Sequence, residues 1–155
     1  MSLYPDKIMI GDIEYAITPT EDLQVNQMHI NDEFATHSEK FGWYSTAYEL
    51  AVDYELRKKA ELERAYANLD QEARLYLADQ KKVTEKMVEN MVITSDLYKQ
   101  IQEEYLDAKK NTGVLKGIRD AMMHKRDMLV GLGANYRAEG QSELSLKLDQ
   151  LKKNR

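Results

Sequence analysis

The groups with chemistry to offer in this chain are three histidines, 27 carboxylates, 22 lysines and arginines, ten tyrosines and one tryptophan. His29, His37 and His124 stand in no metal-ligand spacing of the His-Glu-x-x-His kind, so no metal is expected. His37 falls near an aromatic row, where a packed or solvated imidazole is the expectation. Cysteine is absent, which removes disulfides and thiolate ligands and fits a reducing compartment. No glycine-rich loop joins a strand to a helix as phosphate cradles require; Gly113, Gly117, Gly131 and Gly133 all lie inside a helical pattern. Without a cleft to bring two carboxylates together, no general acid and base can be paired. The chain reads as a non-enzyme that uses no cofactor.

Its bases say more. Arg57, Lys58, Lys59, Arg64 and Arg74, followed by Lys81 and Lys82, form the densest positive run. That run begins where an apolar helix stripe lapses, so these side chains can face outward. A solvated face is the default reading, and if the chain binds nucleic acid they are the groups expected to hold phosphates. Lys109, Lys110 and Lys116 make a reserve set for the same role. The formal net charge of −5 hides a split: residues 1–56 carry 11 acids against Lys7 and Lys40, whereas residues 57–155 carry 20 bases against 16 acids. The acidic total argues against nucleic acid, but the split keeps a polyanionic partner open. It equally allows the acidic front of one subunit to dock on the basic half of another. Aromatic rings beside bases can stack on unpaired nucleobases. Tyr44, Tyr48, Tyr66 and Tyr76 fall on the apolar stripe and read as core, leaving Tyr54, Tyr98 and Tyr105 as the freer rings.

The elements that position these groups are mostly helical. Both prolines, Pro5 and Pro19, lie in the first twenty residues, and the remainder is rich in helix formers. Residues 7–17 predict a β-hairpin turning at Gly11-Asp12, with Ile8, Ile10, Ile13 and Tyr15 on one face. A polar connector from Pro19 to Met28 leads to Asn31 and Asp32, which are placed to cap a helix over about 33–78. That helix carries a seam at Phe41, Tyr44, Tyr48 and Ala51 and again at Leu62, Tyr66, Leu69, Ala73 and Tyr76, interrupted by Glu55 and Lys58. Thr84 caps a short helix to about Ile93, and Ser95 and Asp96 restart a long one ending at Gly140. On the last, Leu115, Ile118, Met122, Leu129, Leu132 and Tyr136 form a stripe suited to an oligomer seam, with Lys125 breaking the row. Its four interior glycines each cost about 1 kcal/mol against alanine, which points to close approach by a neighbour.

The organisation expected is therefore an N-terminal arm over 1–28, a helical domain over 29–140 and an amphipathic tail over 141–155. In the tail, Leu144, Leu148 and Leu151 form a stripe beside Lys147, Lys152, Lys153 and Arg155, fitted to a partner's groove or to its own subunit. No apolar run is long enough to span a bilayer and no signal peptide opens the chain, so a soluble, cytoplasmic protein is expected.

Residues 30–140 resemble the UvsY-type recombination mediators of tailed phages. The resemblance rests on Val83-Thr-Glu-Lys-Met-Val, Asp96, the run from Tyr98 to Lys110, Ala121-Met-Met-His-Lys-Arg-Asp-Met-Leu and Arg137-Ala-Glu-Gly140. The run from Tyr54 to Arg64 and the segment Glu72-Ala73-Arg74-Leu75 look like that family's basic helix, although Glu72 stands where the family has a lysine. The residue pattern predicts an all-α fold of long helices packed side by side with the small N-terminal hairpin, which has no counterpart in that family. The seams on both long helices predict a homo-oligomer larger than a dimer, and the resemblance implies that it is ring-like. It implies single-stranded DNA as ligand, with a phage recombinase and a single-strand-binding protein as partners, in the cytoplasm of a bacterial host. The competing reading is a helical structural or adaptor protein of a phage with no nucleic-acid role.

Overall fold

A computed structural model describes residues 3–153; the Arg155 assigned to the tail lies outside the described residues. The chain opens with β1 (Lys7–Ile10) and β2 (Ile13–Ala16), paired antiparallel with Ile8 opposite Tyr15 and Ile10 opposite Ile13. Gly11 has φ of 64° while Asp12 stays at negative φ, the combination a type II′ turn needs. The connector is more ordered than its composition implies. It holds the four-residue helix α1 (Pro19–Asp22) and a 3-10 turn (Gln27–His29) capped by the Asn26 side chain, which accepts from the Met28 N–H. Three helices follow: α2 (Ile30–Leu77), α3 (Glu85–Thr94) and α4 (Asp96–Lys153).

The starts and stops differ from expectation at two places. Asn31 and Asp32 do not cap α2; they sit in its first turn, and the preceding 3-10 turn delivers the chain at His29 with no side-chain cap. Gly140 does not end α4, which runs on for a total of 58 residues and takes the leucine tail with it. A lone glycine costs a helix about 1 kcal/mol, too little to stop one flanked by good helix formers. Thr84 does cap α3, accepting from the Met87 N–H.

α2 and α4 run antiparallel along most of their lengths, roughly 72 and 87 Å at 1.5 Å per residue. Cross-helix contacts fix the register: Gly133 meets the Phe34 ring, Thr112 Oγ1 donates to the Ala51 carbonyl, Lys58 reaches Glu104, and Tyr66 meets Tyr98 edge-on. The hairpin closes over the groove between them. Ile8, Ile10 and Ile17 are buried against Tyr44, Ala47 and Ala51 of α2 and Leu115, Ile118 and Met122 of α4. β1 is the inner strand; on β2, Tyr15 is half-buried against Trp43, and Ile13 is exposed at the edge. A second, smaller cluster, Ala73, Leu77 and Val88, ties α3 to the end of α2.

This packing reassigns the stripe read as an oligomer seam. Leu115, Ile118, Met122 and Leu129 are fully buried inside one chain, so they are intrachain core and are not available to another copy. Leu132 is half-buried and Tyr136 exposed, its hydroxyl donating to the Gln27 carbonyl. Nor do the glycines share a cause. Only Gly133 is closely approached, with Phe34 3.2 Å from where a Cβ would stand; Gly113, Gly117 and Gly131 face open space.

Lys125, the break in the stripe, is an anchor. Its ammonium is 4% exposed and donates to the carbonyls of Asp22 (2.8 Å) and Gln24 (2.6 Å) while pairing with Glu33 at 2.7 Å. Three donors meet three acceptors, and the segment after α1 is strapped across α4. Beside it, Asp22 accepts from Tyr44 and Thr18 and pairs with Lys40.

Candidate nucleic-acid interface

The ten expected phosphate-binding residues divide by what their own chain asks of them. Lys58 does not face outward. It is only 17% exposed, bridges Glu104 at 2.6 Å and Glu61 at 3.1 Å, and lies near the Tyr54 ring. The polar gap in the α2 seam is thus a cross-helix ion pair. The hydrogen bond to Glu104 raises the Lys58 ammonium well above its usual pKa, and the same bond, helped by Gln100, lowers Glu104. Arg74 is also occupied: Glu85 and Asp70 both hydrogen-bond it, fastening the start of α3 to the end of α2 and raising its pKa. Arg57 pairs with Asp53 at 2.7 Å, and Lys59 stands 3.9 Å from Glu63.

The other six, Arg64, Lys81, Lys82, Lys109, Lys110 and Lys116, are exposed and have no carboxylate partner among the described residues. Lys81 and Lys82 occupy the turn between α2 and α3, and Tyr76, in the last turn of α2, is exposed although its spacing reads as core. Lys86 on the first turn of α3 joins them without a partner, a residue passed over because it stands outside the basic run. On α4, Lys109 and Lys116 are seven residues apart and share a face, and Lys109 lies over the Tyr105 ring at 6.0 Å. The reserve set is therefore less encumbered than the run that reads as primary.

The three rings expected to be free are all half-buried: Tyr54 lies against Gly11 of the hairpin turn, Tyr98 against Tyr66 and Tyr105 under Lys109, whereas Tyr76 is exposed. The cleft beneath the hairpin turn, about 550 Å³, is open and mixed in charge, with Asp12, Glu104 and Asp107 facing Lys58 and Lys110. Among the described residues no group of three or more His, Asp or Glu is placed to hold a metal, and no helix is long and apolar enough to cross a membrane. His37 is packed: burial lowers its pKa, with Lys125 and Arg126 adding to the effect, and neither ring nitrogen has a hydrogen-bond partner.

No protein-family model, curated protein or solved structure matches the chain.

Proposed function

We propose that this chain is a recombination mediator: a homo-oligomer that binds single-stranded DNA and helps load a phage recombinase in place of single-strand-binding protein. The observation that carries the reading is the set of six exposed cations without partners, since a cation that must first abandon a carboxylate gains less from a phosphate. Tyr105, with Lys109 over its ring, adds a surface on which a base can stack. An oligomer would sum these separated contacts along one flexible strand. Phosphate contacts read no sequence, so binding should be indifferent to base composition.

The second reading, a helical structural or adaptor protein, is favoured by the net charge of −5 and by the commitment of Lys58 and Arg74 to their own carboxylates. Fluorescence anisotropy of a labelled oligonucleotide across a salt series separates the two. Engagement of the five lysines among them predicts a slope of log K against log salt of about −3.5 per subunit, at roughly −0.7 per phosphate on a single strand. Replacing Lys81 and Lys82 with Glu should weaken binding to every sequence alike. Absence of binding at low salt removes the mediator reading and leaves the structural one.

A further inference from the structure

α4 outruns its partner. Its contacts with α2 and the strap end near Gly133 and Tyr136, where Gly133 meets Phe34 and Tyr136 bonds Gln27, and every described residue from 138 onward is exposed. This leaves an overhang of sixteen residues, about 24 Å of helix, carrying Leu144, Leu148 and Leu151 at 56–66% exposure. At the other end of the molecule the opposite lack occurs. Two adjoining cavities of about 330 and 290 Å³ lie either side of Leu69, the first against Ala65 and Leu97, the second against Tyr76 and Met91. Glu72 borders both.

We infer that this groove receives the α4 overhang of a second copy of the chain. The three leucines span about 10 Å along one helix face, close to the separation of the two cavities along α2 at 1.5 Å per residue. Leu144 then fills the first cavity and Leu151 the second, with Leu148 over Leu69. Charge sets the direction. Along the tail Glu143 precedes Lys147, and along the groove rim Arg64 precedes Glu72. None of the four has an ion-pair partner in its own chain among the described residues. The opposite charges meet when the tail runs parallel to α2. Since α2 and α4 of one chain are antiparallel, a tail parallel to a neighbour's α2 sets the two chains antiparallel, and the neighbour's tail returns the same contact. The pairing is isologous and leaves neither groove empty. Glu72, which departs from the lysine of the resembled family, becomes the residue that receives Lys147. The inference rests on the self-association in the proposed function and not on nucleic acid.

The absence of cysteine allows a direct test. Chains carrying Leu69→Cys are mixed with chains carrying Leu148→Cys and oxidised; within one chain these positions lie at opposite ends of the molecule. A disulfide-linked pair of mixed composition is expected, in clear excess over a control pairing Leu148→Cys with Thr46→Cys on the exposed face of α2. Light scattering of the parent chain at micromolar concentration should give at least twice 18.0 kDa. Glu72→Lys or Lys147→Glu should each weaken association about threefold, the range of an exposed pair, and the double variant should restore it. An 18.0 kDa species, a mixed yield no greater than the control, or preferential Leu148→Cys self-linking overturns the inference. A monomer that binds single-stranded DNA overturns the pairing and leaves the DNA reading standing. A paired chain that binds none supports the pairing against that reading.

Discussion

Replacing Lys125 with methionine isolates the strap that holds the N-terminal region on α4. Methionine keeps the length and most of the volume of the stem while removing the ammonium, so the packing of the stem is largely preserved. What is lost is a buried cation with all three protons engaged, to Glu33 and to the carbonyls of Asp22 and Gln24. Removing one partner of a buried pair costs about 3–5 kcal/mol, mostly because the other charge is stranded. Glu33 is 18% exposed and keeps the Asn26 N–H, so its penalty is smaller. Gln24 is exposed and Asp22 half-buried, so the two orphaned carbonyls regain some water. The expected loss is about 2–4 kcal/mol, equivalent to roughly 5–12 °C in Tm for a chain of this size. Thermal and urea melts followed by circular dichroism measure it. Hydrogen exchange should quicken first over residues 17–29 while the α2–α4 core stays protected. Adding Glu33→Gln should recover part of the loss, because the stranded charge is removed. A single Lys125→Met variant within 0.5 kcal/mol of the parent, or with an unchanged strap, would refute the reasoning.

The glycines of α4 should answer alanine in opposite directions: Gly113→Ala, Gly117→Ala and Gly131→Ala each raise stability by about 0.5–1 kcal/mol, whereas Gly133→Ala lowers it by driving a Cβ to 3.2 Å from Phe34. Urea melts rank all four. Burial holds His37 below its ordinary pKa of 6.5, so the unfolded chain takes up a proton that the folded chain refuses. Stability should therefore fall as pH drops below 6.5 and level off once the folded pKa is passed; a His37→Leu variant melted across that range should lose this component. Glu33 and Asp22 act at lower pH. Burial raises both carboxyls, but hydrogen bonds from Lys125 to Glu33, and from Lys40 and Tyr44 to Asp22, outweigh it and leave both lowered. Their contribution is complete above the ordinary values of 4.5 and 3.8 and is lost below them, which acid titration of Glu33→Gln against the parent should reveal as a flatter profile.

Elements governed by local chemistry were readable from residue types alone. Gly11 dictated its turn, Thr84 its cap, and the periodicity of residues 115–129 its buried face. What escaped were features decided across the chain. A stripe identifies a buried face without saying whose surface covers it, so Leu115, Ile118 and Met122 read as an oligomer seam when the covering surface is the chain's own hairpin and α2. The bases were misjudged for a related reason. Besides the local Glu61 and Asp70, Lys58 and Arg74 are held by Glu104 and Glu85, which lie 46 and 11 residues away and give no local signal. Gly140 looked like a stop because glycine often ends helices, but nothing follows it that prefers another conformation. Lys125 gave a legible signal, a lone cation inside an apolar stripe, and its meaning depended on the carbonyls of a strap more than 100 residues earlier.

The hairpin's docking site has a consequence for the order in which the protein is made. Ile8, Ile10 and Ile17 leave the ribosome about a hundred residues before half of the surface that buries them, Leu115, Ile118 and Met122. At about 5–20 residues per second the delay is roughly 5–20 s, far longer than the microseconds in which a hairpin forms. During that interval the strand face has only Tyr44, Ala47 and Ala51 of α2 to pack against, and the α4 half of its covering is missing. Polar substitutions on that face would thus be felt twice, as lost packing in the finished molecule and as a gain in solubility for the unfinished one. Yield in the cell and stability of the purified protein should then move in opposite directions.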